Sequence, residues 1–405
     1  MTGALSYLFD LEQFGIKFGL DNITALVDRL GRPDRAFHSV HIAGTNGKGS
    51  VTAMIDAALR AAGYRSARYT SPHLIDIRER FVIDGRPVSA QALDAAIVAV
   101  RAAADSLRAC GVLKADPTYF EVTTAVAFEL FREAAVDIAV LEVGLGGRLD
   151  ATNVVSPIVT AITTIAFDHE QYLGSTLADI AREKAGIIKP GVPVVVGDIE
   201  PEAMHVIEQI ARDRGAPVVR ARQDRGLAVG LRGMHQLANA AVAVGVIDVL
   251  NGLEPRVFAV PAAAVATGLA QPAWPGRLDL RQLSDGREIL LDAAHNPAGA
   301  RALASYLQTS ATMPLVFAVM QDKDVGSMLQ ILLPAVDRLV LTRASNRRSA
   351  DPAELARLAR AIDPEMAVSI EPSPAAAIAA AWRMSPRIVA AGSIFLLGDV
   401  MKEIG

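Results

Sequence analysis

Short apolar runs rich in β-branched residues alternate with alanine-rich stretches of helical period along most of this chain. Phe37–Ala43, Ile138–Val143, Ile158–Ile165 and Val192–Val196 read as strands, as do Glu288–Leu291, Leu315–Val319, Arg338–Thr342 and Ile388–Ala391. Between them, Ala178–Ile187 and Pro201–Arg214 have the spacing of helices, and the tract Ala375–Ala381 predicts packed helix. Alternation of this kind predicts parallel sheets covered by helices. Ligands of such sheets sit beyond the carboxyl ends of the strands, so polar residues at strand exits are the ones to read for chemistry. Periodicity breaks at Gln271–Arg277, where two prolines and a glycine precede new strand-rich sequence. A 405-residue chain exceeds what one core usually serves. Two α/β domains are expected, residues 1–273 and 274–405.

The first strand runs into Gly44-Thr45-Asn46-Gly47-Lys48-Gly49-Ser50, and Val51, Met54, Ile55, Ala58 and Leu59 then mark one helical face. Strand, glycine turn and helix form the cradle of a polyphosphate. Glycines let backbone N–H groups approach the oxygens, and the helix N-terminus adds partial positive charge. Lys48 would reach the β/γ-phosphates, with the Thr45 or Ser50 hydroxyl near magnesium. The spacing departs from the usual phosphate loop, because Gly44 lies close to Gly47 and Gly49 stands where a hydroxyl residue normally follows the lysine. An ordinary Gly-rich turn is the alternative. The strand Ile138–Val143 ends with Glu142, where a phosphate-loop protein keeps its magnesium-side carboxylate. The next strand exits into Asp168-His169-Glu170, which makes His169 a candidate metal ligand. Lys184 lies near a glycine-terminated helix end, with a surface ion pair to Glu183 as its plain alternative.

Composition narrows the class. A content of 51% hydrophobic and 21% charged residues suits large buried sheets, and a net charge of −4 leaves no electrostatic footprint for nucleic acid. The single Cys110 excludes an intramolecular disulfide framework and a cysteine-rich zinc site. Met1-Thr2-Gly3-Ala4, soon followed by Asp10 and Glu12, lacks the basic start and apolar core of a leader, and no apolar run reaches membrane-spanning length. A cytoplasmic protein without a membrane or nucleic-acid partner is expected.

Further motifs follow in order: Thr70-Ser71-Pro72-His73-Leu74, Glu79-Arg80-Phe81, Tyr119-Phe120-Glu121, Gly144–Asn153, Asp168-His169, Glu183–Ile187 and His235–Ala240. Then come Trp274-Pro275-Gly276-Arg277, Asp292-Ala293-Ala294-His295-Asn296-Pro297, Asp322-Lys323-Asp324 and Gly392-Ser393. With Gly44–Ser50, this collinear set resembles the folylpolyglutamate synthase/dihydrofolate synthase enzymes of the Mur-ligase superfamily, over nearly the whole chain from about Gly15. The resemblance implies a Mur-ligase-like α/β fold: a P-loop parallel-sheet ATPase domain that also binds folate, then a smaller Rossmann-like domain. It implies an ATP-dependent amide ligase acting through an acyl phosphate, with L-glutamate as the incoming amine.

By the same resemblance, Gly44, Thr45, Asn46, Gly47, Lys48, Gly49 and Ser50 hold ATP together with His235, Gln236, Asn239, Arg277 and Asp292. One Mg²⁺ is expected at Ser71 and Glu142, and a second at His169 and Lys184, whose family counterpart is often carbamylated. Carbamylation turns a cationic amine into an anionic oxygen ligand suited to a hard cation. Lys48, Lys184 and His295 are the catalytic candidates. Phe18, Arg80, Phe120, Asp150, Ala151 and Ser393 are the substrate-side candidates. Dihydropteroate, folate or both are expected as acceptors, and the enzyme as a monomer. Three departures stand out: Ala293 in place of a glycine, a short stretch between Val219 and His235, and Leu231-Arg232-Gly233-Met234 before the His-Gln pair. The rival readings are another Mur-type ligase for a non-folate carboxylate, a phosphate-loop ATPase or kinase without glutamate chemistry, and a nucleotide-binding protein without catalysis.

Overall fold

The computed structural model of the chain describes residues 3–11, 15, 17–223, 226, 228–255, 257–309 and 311–405; Met1, Thr2 and Glu12, read above for a leader, fall outside them. An eight-stranded sheet has the order β4-β3-β2-β5-β1-β6-β7-β8. Its strands are β1 His38–Ala43, β2 Ser66–Tyr69, β3 Phe81–Ile83, β4 Arg86–Pro87, β5 Ile138–Glu142, β6 Val159–Ile162, β7 Val194–Val196 and β8 Val218–Arg220. All pair in parallel except the β2–β3 and β3–β4 pairs. A six-stranded sheet follows, ordered β13-β12-β11-β14-β10-β9. It contains β9 Asp279–Gln282, β10 Glu288–Asp292, β11 Pro314–Phe317, β12 Arg338–Leu341, β13 Ala367–Ile370 and β14 Arg387–Ala391, with only β9 antiparallel to its neighbour.

The central strands of both sheets are buried on two faces, which is why β5, β11 and β14 are near-continuous apolar runs. Side chains alternate across a strand. In β5, Ile138 and Val140 join the core under the helices Lys48–Ala61 and His235–Asn251. Ala139 and Leu141 join the opposite core under Ala90–Ala109 and Tyr119–Glu133. The second sheet repeats the device: Leu315 and Phe317 face one core, Val316 and Ala318 the other.

Each expected strand is present, with ends that differ for physical reasons. The expected Ile158–Ile165 stops at Ile162 because Thr163 and Thr164 turn to clasp the glycine loop. The expected Val192–Val196 starts at Val194, after a proline that has no N–H to donate. Short strands such as β3 and β4 carried too few residues to show a period. The segment between the helix Ala262–Ala270 and β9 joins the two sheets. Its Trp274 lies under the Arg68 guanidinium, 5.6 Å from ring centroid to Cζ, and Arg68 also donates to Ala273 O at 3.3 Å. A methyl group on Gly49 would sit 2.1 Å from Trp274 Cζ2, so the joining segment rests directly on the start of the loop's helix.

Candidate active site

The carboxyl ends of β1, β5, β6 and β10 open onto one cavity of about 1410 Å³, and every site residue named above lines it. The glycine loop is fastened to the exit of β6. Thr45 N donates to Thr164 O at 2.8 Å, Asn46 N to Thr164 Oγ1 at 3.0 Å, and Thr163 Oγ1 to Asn46 O at 2.6 Å. The Thr45 hydroxyl is committed to Ala166 O and N, at 3.1 and 3.0 Å, so it braces the loop. Gly44 has φ +149° and a Cβ there would lie 1.9 Å from Thr163 Oγ1; Gly47 has φ +85° and faces Asn239 Oδ1 at 2.2 Å on the same construction. Only glycine fits either position. Asn239, from the first turns of the helix His235–Asn251, donates to Gln236 Oε1 at 2.8 Å while its Oδ1 packs on Gly47.

Two lysines converge on one carbonyl. Lys48 Nζ donates to Gly44 O at 3.0 Å and Thr45 O at 3.2 Å, and Lys184 Nζ donates to the same Gly44 O at 3.0 Å. Burial lowers the Lys184 ammonium to about 7, and the neighbouring Lys48 charge pushes the same way against Asp168 and Asp150. Paired cations under a glycine loop favour an anion there. Glu142 is buried, its carboxyl raised by desolvation and pulled back by Lys48, by the Ser71 N–H at 3.3 Å and by Arg277. Burial lowers the Arg277 guanidinium against the opposing charges of Asp292 and Glu142. Asp292 ends β10 and accepts from Leu278 N and Ala294 N at 2.8 and 2.9 Å.

The Ser71 hydroxyl and Glu142 carboxylate form a hard oxygen donor set that fits a magnesium-type ion shared with nucleotide phosphates. His169 and an unmodified Lys184 form a weaker one. Among the described residues no three His, Cys, Asp or Glu side chains cluster as a ready metal cage. His169 has left-handed backbone, φ 53°, and its Nε2 lies 3.2 Å from Lys323 Nζ. His295 Nδ1 is 2.8 Å from Ala293 O, and its Nε2 is 3.5 Å from Asp168 Oδ2. Ala293 does not adopt the left-handed backbone that would demand glycine, so this departure introduces no strain.

On the other wall, Phe120 covers Gly144, where a Cβ would meet its ring at 2.5 Å. Arg80 donates to His73 Nδ1 at 3.0 Å and lies over Tyr119. Phe18 packs against Tyr172, with centroids 5.8 Å apart. The Ser393 hydroxyl caps the helix Ile394–Ile404 by accepting from Phe395 N at 3.1 Å.

Sequence reading missed the groups that bind the two halves of the cavity together. Asn46 and Asn296 exchange side-chain hydrogen bonds at 3.2 and 3.1 Å, Asn296 also reaches Asp168 at 3.0 Å, and Lys323 pairs with Asp168. The backbone carbonyl of Leu74 is so close to Gly398 that a methyl group there would lie 2.1 Å from it. Asn296 and Lys323 stood in the collinear motifs, but nothing local pointed to their partners.

Two α/β sheets that share a cleft, with a glycine loop and two lysines converging on it, one of them buried, describe a Mur ligase. Residues 42–224 match the Mur ligase middle domain, and residues 276–394 match the Mur ligase, glutamate ligase domain. The dihydrofolate synthase/folylpolyglutamate synthase of Bacillus subtilis (strain 168) is 36% identical over 357 residues, covering 81% of this chain and 82% of that protein. The crystal structure of Mycobacterium tuberculosis folylpolyglutamate synthase complexed with ADP and AMPPCP superimposes with a TM-score of 0.90 at 34% identity, over 99% of both chains. That of the bifunctional folylpolyglutamate synthase/dihydrofolate synthase from Yersinia pestis c092, complexed with AMPPNP and Mn ion, gives 0.85 at 30% identity over 99% of this chain and 98% of that one. The chain belongs to the dihydrofolate synthase/folylpolyglutamate synthase family of ATP-dependent, amide-forming Mur ligases. Among the described residues no helix is long and apolar enough to cross a membrane.

Proposed function

We propose that this ligase uses ATP and a divalent metal ion to add L-glutamate to dihydropteroate, to the glutamate tail of a tetrahydrofolate, or to both. The observation that carries this reading is the convergence of Lys48 and Lys184 on Gly44 O beside the buried Glu142, in a cavity whose opposite wall is aromatic. An oxygen of the acceptor's carboxylate attacks the γ-phosphorus and ADP leaves. The glutamate nitrogen then attacks the acyl carbon, inorganic phosphate leaves, and the amine proton passes to solvent or phosphate.

The residues position and neutralise charge, which is most of what phosphoryl transfer needs. Gly44–Ser50, Asn239, His235, Gln236, Arg277 and Asp292 hold the nucleotide, and Lys48 neutralises its outer phosphates. Ser71 and Glu142 would hold one metal ion and His169 with Lys184 a second; when bound, the ions offset charge on the transferring phosphoryl group. Lys184 is proposed to carry a carbamate, formed as its neutral amine adds to CO₂ and releases a proton. Burial beside Lys48 favours that neutral amine. Phe18, Arg80, Phe120, Asp150 and Ala151 form the acceptor side, with Ser393 and His295 near the incoming glutamate and the reacting phosphoryl group.

We further propose a division at residues 273 and 274, closure of the two units over bound substrates, and action as a cytoplasmic monomer, since one chain supplies both sides of the cavity. Closure would keep water from the acyl phosphate. The test is ADP release with ATP and Mg²⁺, comparing dihydropteroate and tetrahydrofolate, each with and without L-glutamate. Glutamate-dependent release with either acceptor supports the reading. Release independent of glutamate and of both acceptors rejects it.

A further inference from the structure

The strand that feeds the glycine loop also carries a histidine with no exposed surface. His41 Nε2 lies 2.8 Å from Thr152 Oγ1, and that hydroxyl is hydrogen-bonded to Asp150 Oδ1. Asp150 and Thr152 belong to the turn that follows β5 and contributes Gly144, Leu145, Asp150 and Ala151 to the cavity. Asp150 is the organiser of that turn. Its Oδ2 accepts from Leu145 N at 2.9 Å and its Oδ1 from Thr152 N at 3.0 Å, while burial raises the carboxyl and these donors draw it back down. With both oxygens accepting from within the turn, the carboxylate sets the shape of the wall it lines.

The proton positions follow from the partners. Burial, reinforced by the nearby Lys189 charge, lowers the His41 imidazole to about 3, so the ring is neutral and has one N–H. Thr152 gives its only proton to Asp150, leaving lone pairs towards His41. A ring proton on Nδ1 would set lone pair against lone pair at 2.8 Å and strand a buried N–H, since Nδ1 has no partner. The proton therefore resides on Nε2, and a one-way chain of donors runs from His41 through Thr152 to Asp150.

We propose that His41 is a positioning residue that fixes the turn Gly144–Asn153 through Thr152 and Asp150, and so sets affinity for the pteridine-bearing acceptor rather than for ATP. The assignment of the acceptor to that wall rests on the function proposed above; the coupling of His41 to the turn does not.

The test compares His41→Met, His41→Gln and Thr152→Val with wild type, measuring dihydropteroate and AMPPNP affinities separately by calorimetry. His41→Met and Thr152→Val should each weaken dihydropteroate by about tenfold, the scale of one buried hydrogen bond, with AMPPNP affinity within about twofold. The double variant should lose no more than either single one, because both break the same chain. His41→Gln, which retains an Nε2 donor at matching reach, should recover most of the loss. Native-state hydrogen exchange should show faster exchange of the Leu145 and Thr152 amides in His41→Met, and AMPPNP binding reports that each variant is folded. If His41→Met fails to fold, Thr152→Val and His41→Gln carry the comparison. Equal losses for both ligands, additive losses, or a glutamine variant no better than methionine would overturn the proposal. Wild type that binds AMPPNP but no dihydropteroate or folate rejects the function instead; unchanged amide protection in His41→Met then rejects the coupling independently.

Discussion

Lys323 Nζ stands 2.6 Å from Asp168 Oδ1, and this ion pair, 8% and 7% exposed at its side chains, spans the two sheets at the mouth of the cavity. Burial alone would raise the Asp168 carboxyl. The hydrogen bond and charge of His295, with the charges of Lys323 and His169, outweigh it and hold the group far below the usual carboxylate range. Removing Lys323 takes one charged partner from a buried carboxylate that keeps Asn296 and His295, at about 2 kcal/mol. Lys323→Met should lower the unfolding free energy from urea titration by that order and increase protease cleavage within residues 271–278. Replacing both members, Lys323→Met with Asp168→Leu, should cost less than the sum of the two single variants. Additive losses would show that the pair is not the source.

The contact of Trp274 with Gly49 predicts a steric coupling between the joining segment and the nucleotide loop. Gly49→Ala should weaken AMPPNP binding by about tenfold or more, since the methyl group must displace an aromatic ring. Trp274→Ala in the same background should restore part of the affinity. Calorimetry on the two single variants and the double one decides this, and purely additive losses would contradict it.

Lys48→Ala should reduce kcat/KM by about two orders of magnitude, or about 2.7 kcal/mol of transition-state stabilisation, with folding intact. Glu142→Gln keeps the size of the side chain and removes its charge, so its Mg²⁺ requirement should rise. Near-wild-type turnover of folded Lys48→Ala would place phosphate binding elsewhere. An unchanged Mg²⁺ titration for Glu142→Gln would do the same for the metal.

Lys184 predicts a pH signature in bicarbonate-free, metal-free buffer. Its folded value of about 7 lies below the ordinary 10.5, so between those values the unfolded chain binds more protons than the folded one. Stability from this group therefore rises with pH across that window, and its burial penalty is complete below about 7. Lys184→Met should flatten the rise in the urea midpoint measured from pH 7 upward. Parallel profiles for the two proteins would refute this, and added bicarbonate should alter the wild-type profile alone if the carbamate forms.

The parts legible in sequence were those whose geometry is local. Lys48 and His169 follow strands and Glu142 ends one, and a parallel sheet delivers every strand exit to one edge. The alternation of apolar runs with alanine-rich helices was enough for the fold class. The pairing of Asp168 with Lys323 was not legible, because 155 positions separate residues whose local surroundings resemble ordinary surface turns. Trp274 marked a break in periodicity, but periodicity carries no information about which helix an exposed-looking indole will cover. His41 read as one more strand position. Its role depends on Thr152, which a strand pattern cannot specify.

The close approach of Leu74 to Gly398 has a bearing on biosynthesis. The loop that carries Ser71 leaves the ribosome long before the helix Ile394–Ile404 that rests on it. Full assembly of the cleft waits for that helix, so a nascent chain that lacks it has the glycine loop without the surface that seats the Ser71 loop.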